Sequence, residues 1–339
     1  MVEGAARVTL AEVAAVAGVS VGTASKALND RGSMRTETRE RVRAAAERLG
    51  FHVDAVARSL QTGRSYTVGM ITTDSIGRFS IPVMLGVEDT LGAGQMSVLL
   101  CDARDDRIRE QYYLKTLLSR RVDGIIVTGR RTDPRPPLAQ RPPVPVVYAF
   151  MPSADPQDCS IVPDEAAGAR RAVAHLLDTG RRRIAVVAGP ERHHSARSRV
   201  DAAALTVREA GLEPSGEPLY GEWSEAWGRQ AARILLRRDP ELDAVFCASD
   251  QIARGLADGL REAGRRVPAE VAVIGFDNWD VMTAAARPQL TSVDMDLEGL
   301  GREAAELLLS AIAGEPRPGV HLHPCRLAIR ASTATDELE

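Results

Sequence analysis

Eight polar, charged and aromatic residues beyond residue 66 could together bind a small polar molecule. They are Asp74, Phe79, Ser80, Ser195, Arg199, Trp223, Ser249 and Asp277. Hydroxyl, carboxylate and guanidinium groups exchange hydrogen bonds with ligand hydroxyls, and aromatic rings cover the apolar faces of ring-shaped ligands. Because unpaired charge at a buried strand end is costly, we expect Arg199 and Asp277 to hold the ligand.

Some of these residues have a simpler structural interpretation. Arg199 and Asp277 could pair with each other, and Trp223 could belong to an ordinary core. Asp250 is better explained as the N-cap of a helix than as a ligand contact. Trp227, one helical turn after Trp223, could extend an aromatic wall or simply pack.

The usual motifs for catalysis or metal binding are missing from the sequence or out of place. Residues 18–22, GVSVG, match the G-x-S-x-G pattern of hydrolases, but they lie between two short helices and not after a strand. No GxxxxGK[ST] loop occurs, and no GxGxxG follows a strand. His321 and His323 have no third metal ligand nearby, and the four cysteines form no CxxC pair. We therefore predict a protein that is not an enzyme and holds no cofactor or metal.

Strand-like and helix-like segments alternate from residue 66 onward. The strand-like runs are 67–72, 96–101, 124–128, 144–149, 184–188, 243–247 and 271–276. Amphipathic helical stretches lie between most of them, including 106–119, 165–178, 198–210, 225–237 and 251–263. This alternation predicts an α/β fold of parallel sheets with helices on both faces. About twelve such elements exceed one sheet, so we predict two Rossmann-like lobes with a cleft between them. The candidate residues follow the strands, where ligands bind in such folds.

The first fifty residues have a helical pattern with almost no strand signal. Thr9 and Glu12 form a capping box that begins a helix, and Gly18 ends it. Ser20 caps a second helix after a short turn, which is typical of a helix-turn-helix motif. A third helix is predicted at 36–49.

Charge is distributed unevenly along the chain. Residues 1–65 hold ten Lys and Arg residues against seven Asp and Glu residues, while the whole chain has a net charge of −3. A basic head on an acidic body fits an anionic partner for the head, and an ordinary solvated charged face would explain the same excess of positive charge.

The run TLAEVAAVAGVSVGTASKALND, continued by TRERVRAAAERLGF and ARSL, closely resembles the head of the lac repressor/galactose repressor (LacI) family of bacterial transcription regulators. Weaker similarity continues to about residue 333. The resemblance implies a helix-turn-helix head, a hinge, and an effector-binding and dimerisation core like the periplasmic sugar-binding proteins. The expected domains are 1–53 for the head, 54–65 for the hinge helix and linker, and 66–339 for the core. Lobe one would comprise about 66–163 and 294–323, and lobe two about 164–293 and 324–333.

The resemblance assigns DNA contacts to the second helix, which enters the major groove in such heads. Val21, Gly22 and Lys26 match the positions that contact bases. Hydroxyl and amide side chains would contact phosphates: Thr9, Ser20, Thr23, Ser25 and Asn29. Thr9 and Ser20 could instead serve only as helix caps. Gly22 departs from the family pattern because it offers no side chain to a base, and Lys26 replaces the usual Arg.

Residues 54–60, DAVARSL, resemble the family's hinge helix. Leu60 holds the position of the leucine that wedges into the minor groove, and we expect Arg58 to contact DNA beside it. Leu60 could instead pack between the lobes. Arg35 stands where the family generally has a Ser that caps the third helix.

In the core, the positions matching Arg199 and Asp277 hydrogen-bond the ligand in LacI-type regulators, and those matching Phe79 and Trp223 form aromatic walls. We expect Arg199 and Asp277 to hold the ligand across the cleft. Phe150 stands where many sugar-binding relatives have an Asp.

The resemblance implies a sequence-specific regulator, usually a repressor, that binds a palindromic double-stranded DNA operator as a homodimer. A small-molecule effector, a sugar or sugar derivative, would bind between the lobes and control operator affinity. The alternatives are a purine- or nucleoside-responsive regulator of the same fold and a sugar-binding protein without a regulatory role. The N-terminus has no signal-peptide pattern and no apolar run long enough to span a membrane, so we expect a cytoplasmic protein.

Overall fold

The computed structural model describes residues 8–28, 33–51, 64–93 and 96–334. The chain separates into two compact units, residues 1–65 and 66–339. Asn29, Arg58 and Leu60, together with the predicted hinge helix, lie outside the described residues.

Within the described residues of the first unit, three helices pack around a small apolar core. They are α1 (Leu10–Ala17), α2 (Val21–Leu28) and α3 (Thr36–Leu49). Val13, Ala24 and Val42 are each fully buried and come one from each helix. The small residues in this core let short helices approach closely. All three predicted helices are confirmed.

The second unit contains two six-stranded sheets among its described residues. The strands are β1 (Thr67–Thr72), β2 (Ser97–Asp102), β3 (Gly124–Thr128), β4 (Val146–Ala149), β5 (Cys159–Pro163), β6 (Ile184–Ala188), β7 (Leu219–Tyr220), β8 (Ala244–Cys247), β9 (Ala272–Phe276), β10 (Thr291–Asp294), β11 (Gly319–His323) and β12 (Arg326–Ala328). One sheet has the order β11-β5-β4-β3-β1-β2, and the other has the order β12-β10-β9-β8-β6-β7. Neighbouring strands are parallel except for the β10–β12 pair. The predicted α/β fold with two parallel-sheet lobes is confirmed.

Helices cover both sheets, and each lobe is named here for its sheet. The first lobe holds β1–β5 and β11 with α4 (Ser80–Ala93), α5 (Arg107–Ser119) and α11 (Leu297–Ile312). The second lobe holds β6–β10 and β12 with α6 (Glu165–Asp178), α7 (His194–Glu209), α8 (Glu225–Arg238), α9 (Asp250–Glu262) and α10 (Asp280–Thr283). The chain passes between the lobes at 163–165, 294–297 and 323–326. Because three crossings link the lobes, their relative movement must bend these segments.

The central strands are buried along their whole length. Every residue of β3, β6 and β9 is buried, as expected for parallel strands with a helical layer on each face. This explains why their continuous apolar runs predicted them well. The sequence prediction missed the outer strands β7, β11 and β12, as well as β5 and β10.

Two helix pairs pack at close range through glycines. A Cβ atom on Gly86 of α4 would lie 1.9 Å from the carbonyl oxygen of Glu298 in α11, and one on Gly301 would lie 2.1 Å from the carbonyl oxygen of Val83. Gly228 and Gly255 bring α8 and α9 together in the same way. These glycines fix the distance between the helices.

Among the described residues, no helix is long and apolar enough to cross a membrane.

Candidate functional site

The N-terminal part of α2 presents the residues that the sequence assigned to DNA contact. Val21, Gly22 and Lys26 are exposed, while Ala24 and Ala27 on the opposite face are fully buried. Thr23 and Ser25 are partly exposed beside them. The apolar face therefore fixes α2 to the head and leaves one polar, cationic face open.

Ser20 caps α2, as its sequence position predicted. The Thr23 amide donates to Ser20 Oγ at 3.1 Å, and the two hydroxyl groups lie 2.9 Å apart. Gly22 has room for a side chain, because an added Cβ would lie 3.9 Å from its nearest neighbour, Ser20 Oγ. Packing within the head therefore does not require glycine at this position.

Thr9 forms the predicted capping box at the start of α1. The Glu12 carboxylate accepts hydrogen bonds from the Thr9 amide at 2.7 Å and from the Thr9 hydroxyl at 3.0 Å. These hydrogen bonds lower the pKa of Glu12. The hydroxyl proton of Thr9 is thus engaged within the head. In contrast, Arg35 begins α3 without a side-chain cap, as the missing serine predicted.

In the first lobe, three of the predicted ligand residues form one turn between β1 and α4. The Asp74 carboxylate accepts from the amides of Phe79 at 2.8 Å and Ser80 at 3.0 Å, and the Ser80 hydroxyl lies 3.3 Å from it. Phe79 stacks on Phe150, with ring centroids 4.7 Å apart and planes inclined by 19°. Asp74 and Ser80 therefore stabilise the turn that presents the Phe79 ring.

Arg199 of α7 is almost completely buried, and its guanidinium is held on all sides. Its Nε and Nη2 donate to Glu165 Oε1 at 3.1 and 2.5 Å, and its Nη1 donates to the Ala248 carbonyl at 2.7 Å and to Asp277 Oδ1 at 3.1 Å. The guanidinium of Arg199 lies over the Phe276 ring, with Cζ 3.7 Å from the ring centre. The pairing of Arg199 with Asp277, which the sequence left open as an alternative, is present in the structure.

Arg199 and Asp277 both belong to the second lobe, so they approach the cleft from the same side. Arg78 of the first lobe makes the charged contact from the opposite side. Its Nη2 lies 2.5 Å from Asp277 Oδ2, and its Nη1 donates to Gln251 Oε1 at 3.0 Å. Its guanidinium also lies 4.3 Å from the centre of the Trp279 ring. Arg78 is therefore the charged side chain that joins the two lobes at Asp277.

Asp277 has an unusual backbone conformation that directs it towards both arginines. Its φ is 104°, a region that non-glycine residues seldom adopt, and its amide donates to the Val293 carbonyl at 2.9 Å. Such strain persists where the surroundings fix the residue and occurs often at functional sites. The sequence signalled Asp277 only through its place after β9.

Two further contacts between the lobes involve residues that the sequence analysis did not select. The Thr132 hydroxyl donates to Glu165 Oε2 at 3.0 Å, and the His194 amide donates to Asp133 Oδ1 at 2.8 Å. Thr132 and Asp133 come from the first lobe. We call the contacts of Arg78, Thr132, Glu165, Arg199 and Asp277 the interlobe network. The sequence marked Glu165 only as an acidic residue in the first turn of a helix, and acidic residues are common there.

Trp223 is held by a histidine that the sequence analysis also missed. Trp223 Nε1 donates to His193 Nδ1 at 2.8 Å, and the Cβ of an alanine at Gly189 would lie 2.2 Å from the indole. Because Nδ1 accepts this bond, neutral His193 carries its proton on Nε2. Burial and the charge of Arg131 lower the pKa of His193, which favours the neutral form. Ser195, in the first turn of α7, is partly exposed.

Ser249, and not Asp250, caps α9. Ser249 Oγ accepts from the Ile252 amide at 3.3 Å, so the interpretation of Asp250 as the N-cap is wrong. The fully buried Asp250 carboxylate accepts from Ser292 Oγ at 2.5 Å and from the Trp279 amide at 2.7 Å. Burial and the neighbouring Asp277 raise the pKa of Asp250 to about 8. Asp250 thus positions the segment that carries Asp277 and Trp279.

A crevice of about 530 Å³ opens beside Arg78, between the lobes. Arg78 and Phe79 line it from the first lobe, and Asp277 and Trp279 line it from the second. Arg78 and Asp277 of the interlobe network therefore border a space that could admit part of a small ligand.

Comparison with known proteins agrees with this architecture. Residues 9–54 match the family described as bacterial regulatory proteins, lacI family, and residues 173–333 match the periplasmic binding protein-like domain. The HTH-type transcriptional regulator CelR of Thermobifida fusca is 35% identical over 325 residues, covering 93% of this chain and 95% of the relative.

Two solved structures extend the match to nearly the whole chain. A CelR–cellobiose complex is 32% identical with a TM-score of 0.67 and covers 96% of this chain and 100% of its own. A lac repressor dimer bound to operator and the anti-inducer ONPF is 27% identical with a TM-score of 0.72 and covers 97% of this chain and 100% of its own. By its sequence and its fold, the chain belongs to the lacI family of bacterial regulatory proteins.

Proposed function

We propose that this protein is a transcriptional repressor that binds a palindromic DNA operator as a homodimer and responds to a sugar or sugar derivative between its lobes. The observation that carries this proposal is the combination of an exposed polar face on α2 with a charged network that joins two lobes. The CelR–cellobiose complex and the operator-bound lac repressor dimer support both parts.

The head would contact DNA through α2. Val21, Gly22 and Lys26 face outward and would approach base edges in the major groove, with Lys26 as the one flexible cation among them. The hydroxyl-bearing residues Ser20 and Thr23, together with the helix N-terminus, would contact phosphates. Thr9, Ser25 and Asn29 have the same proposed role, and Arg58 and Leu60 would enter the minor groove.

A homodimer follows from the geometry of recognition. One head contacts only a half-site, so two heads related by a two-fold axis are needed to bind a palindrome specifically. The lac repressor structure that this chain resembles contains a dimer on its operator.

The effector would act through Asp277. This carboxylate is bonded to Arg199 within its own lobe and to Arg78 of the opposite lobe. A ligand hydroxyl that competes for Asp277 would alter the Arg78 contact, while Arg199 would keep the carboxylate in place. A ligand shifts the equilibrium between two arrangements of the lobes only if it binds one arrangement more tightly than the other. The shared carboxylate of Asp277 allows this, because its contact with Arg78 depends on how the lobes are arranged. We propose that the protein performs no catalysis.

Operator selection followed by titration tests the proposal. The full-length protein selects sequences from random duplex DNA, and anisotropy then measures binding to the selected site with and without mono- and disaccharides, including cellobiose, and nucleosides. We expect a palindromic site and a change of at least several fold with a sugar. A response to nucleosides alone would replace the sugar assignment. Failure to select any sequence would contradict the DNA-binding proposal.

A further inference from the structure

The charges of the interlobe network are balanced by its own residues. Arg199 is compensated by Glu165 and Asp277, at 2.5 and 3.1 Å, and all three side chains are at most 6% exposed. Arg78 is compensated by Asp277 at 2.5 Å. The two guanidinium groups thus face two carboxylates, and the network has no net charge.

Further groups near the network carry charges of both signs: Arg131, Arg192, Asp133 and Glu222 all act on His193. Asp133 contributes a carboxylate from the first lobe, and His193 is kept neutral by burial and by the bond from Trp223. Asp250 lies close behind Asp277, and its raised pKa keeps it mostly protonated at pH 7. The buried cations Arg78 and Arg199 are therefore already paired when an anion approaches the network.

We propose that the cleft selects an uncharged, hydroxyl-bearing ligand and that Glu165 is the residue that excludes phosphorylated or acidic counterparts. This inference rests on the proposed function and specifies the ligand class of the same site. Without the Glu165 charge, Arg199 would be a buried and partly uncompensated cation, which favours an anionic partner. With Glu165 present, an anion entering the cleft would lose its hydration without forming an ion pair with an uncompensated cation.

Unpaired polar atoms on residues in or near the network match hydroxyl groups. Within the described part of the chain, His193 Nε2 and Arg78 Nε are buried donors without a hydrogen-bond partner, and Asp133 Oδ2 is a buried acceptor without one. A hydroxyl group can accept from a donor and donate to a carboxylate at the same time, whereas the dianionic phosphoryl group of a phosphorylated ligand can only accept. Asp133 would therefore repel the anion and bind the hydroxyl.

Inorganic phosphate tests the role of Glu165 without knowledge of the effector. Thermal melts of the full-length protein compare phosphate with sodium chloride at matched ionic strength, which screens exposed cations such as Arg131 equally. We expect Glu165→Gln to gain phosphate affinity by about 10-fold or more over wild type, the range for a hydrogen bond to a charged group. Phosphate bound by the head is common to all variants, so only the difference between variants counts.

Two variants serve as matched controls. Thr132→Val removes the hydroxyl that donates to Glu165 Oε2 but keeps the carboxylate charge, so it should not gain phosphate affinity. Glu213→Gln removes a charge from an 82% exposed residue of the same lobe and should not gain it either. If Glu165→Gln fails to fold, Asp277→Asn removes the other carboxylate from Arg199 and is expected to gain phosphate affinity.

Matched ligand pairs test the ligand class. Calorimetry compares cellobiose with cellobionate, glucose with glucose 6-phosphate, and inosine with inosine monophosphate on wild type and Glu165→Gln. We expect wild type to prefer the uncharged member and the variant to lose at least about 10-fold of that preference.

The outcomes separate this inference from the proposed function. Equal phosphate responses in wild type and Glu165→Gln, including no response in either, would overturn the role of Glu165. Tighter binding of any anionic member to wild type would overturn the ligand class. A protein that selects an operator but never responds to a sugar contradicts the proposed function, while the phosphate comparison still decides the role of Glu165.

Discussion

The Arg78–Asp277 contact is the clearest target for a quantitative test. Arg78→Met keeps the apolar stem but removes the guanidinium. It breaks the 2.5 Å bond to Asp277 and the 3.0 Å bond to Gln251, and it removes the cation above the Trp279 ring. The side chains of Arg78 and Asp277 are 15% and 6% exposed, so water replaces these contacts poorly.

The structure sets the expected magnitude. Removing one partner of a buried ion pair costs about 3–5 kcal/mol when the other charge is left alone. Asp277 retains Arg199 at 3.1 Å, so its charge stays partly compensated. A hydrogen bond to a charged group contributes about 1.5–3 kcal/mol. We therefore expect Arg78→Met to lower the free energy of unfolding by about 2–3 kcal/mol, most of it coupled to Asp277.

Urea unfolding monitored by tryptophan fluorescence measures this effect. Trp223, Trp227 and Trp279 all lie in the second lobe, so the signal follows the lobe that carries Asp277. A double-mutant cycle of Arg78→Met with Asp277→Asn isolates the pairwise energy, which we expect to be about 1.5–3 kcal/mol.

A surface pair provides the control for this cycle. Arg302 lies 3.4 Å from Asp89, and these side chains are 44% and 64% exposed. Such pairs contribute at most about 1 kcal/mol. A coupling energy between Arg78 and Asp277 that is no larger than the Arg302–Asp89 value would refute the role of Arg78 as the bond between the lobes.

Three further predictions concern the head, a helix pair and a buried acid. Lys26→Ala should weaken operator binding by about 1–3 kcal/mol and relax base preference at one position per half-site, as measured by anisotropy. Gly22→Ala should stabilise the head by about 1 kcal/mol, because the added methyl group has room in the helix. Gly86→Ala should destabilise the core by at least about 1–3 kcal/mol, because its methyl group would overlap the backbone of Glu298. Wild-type stability should fall from pH 6.5 to pH 8.5 by up to about 1.4 kcal/mol per pH unit, and Asp250→Asn should reduce this slope.

The sign of the pH effect follows from the raised pKa of Asp250, about 8 against an ordinary 3.8. Between these values the folded protein binds the proton and the unfolded chain does not, so stability is lost as pH rises. An unchanged slope in Asp250→Asn would contradict this assignment. Uniform weakening on random DNA by Lys26→Ala would mean a phosphate contact, and a lower melting temperature in Gly22→Ala would mean that the head lacks the room that its geometry shows.

The sequence predicted well those elements in which the pattern of apolar residues follows the pattern of burial. The strands β3 and β6 were predicted at their observed bounds, because continuous burial requires continuous apolar residues. The helices α4 and α11 were not among the predicted helical stretches, whereas α8 and α9, which also contain glycines at a close helix contact, were. Gly86 and Gly301 lower helix propensity, but close packing between the two helices requires them. Local propensity and tertiary packing conflict at these positions, and packing prevails.

The same contrast applies to the candidate site. The rule that ligands bind after parallel strands selected Asp277, which the structure places at the crevice between the lobes. Arg78 and Glu165 follow no such rule. Their roles depend on how the two lobes meet, which involves residues far apart in sequence: Arg78 bonds Asp277 and Glu165 bonds Arg199. No local pattern in one sequence encodes such a pairing.

The interlobe network suggests why this cleft contains so many paired charges. An apolar cleft would hold the lobes together without regard to the ligand that enters it. A carboxylate shared by Arg199 and Arg78 instead has two bonds that a hydroxyl can replace selectively, because one comes from each lobe. Glu165 keeps Arg199 in place when the Asp277 bond changes, since it supplies two further hydrogen bonds. The free energy that a ligand gains at Asp277 can thus be converted into a change in the contact between the lobes, while the second lobe keeps its own structure.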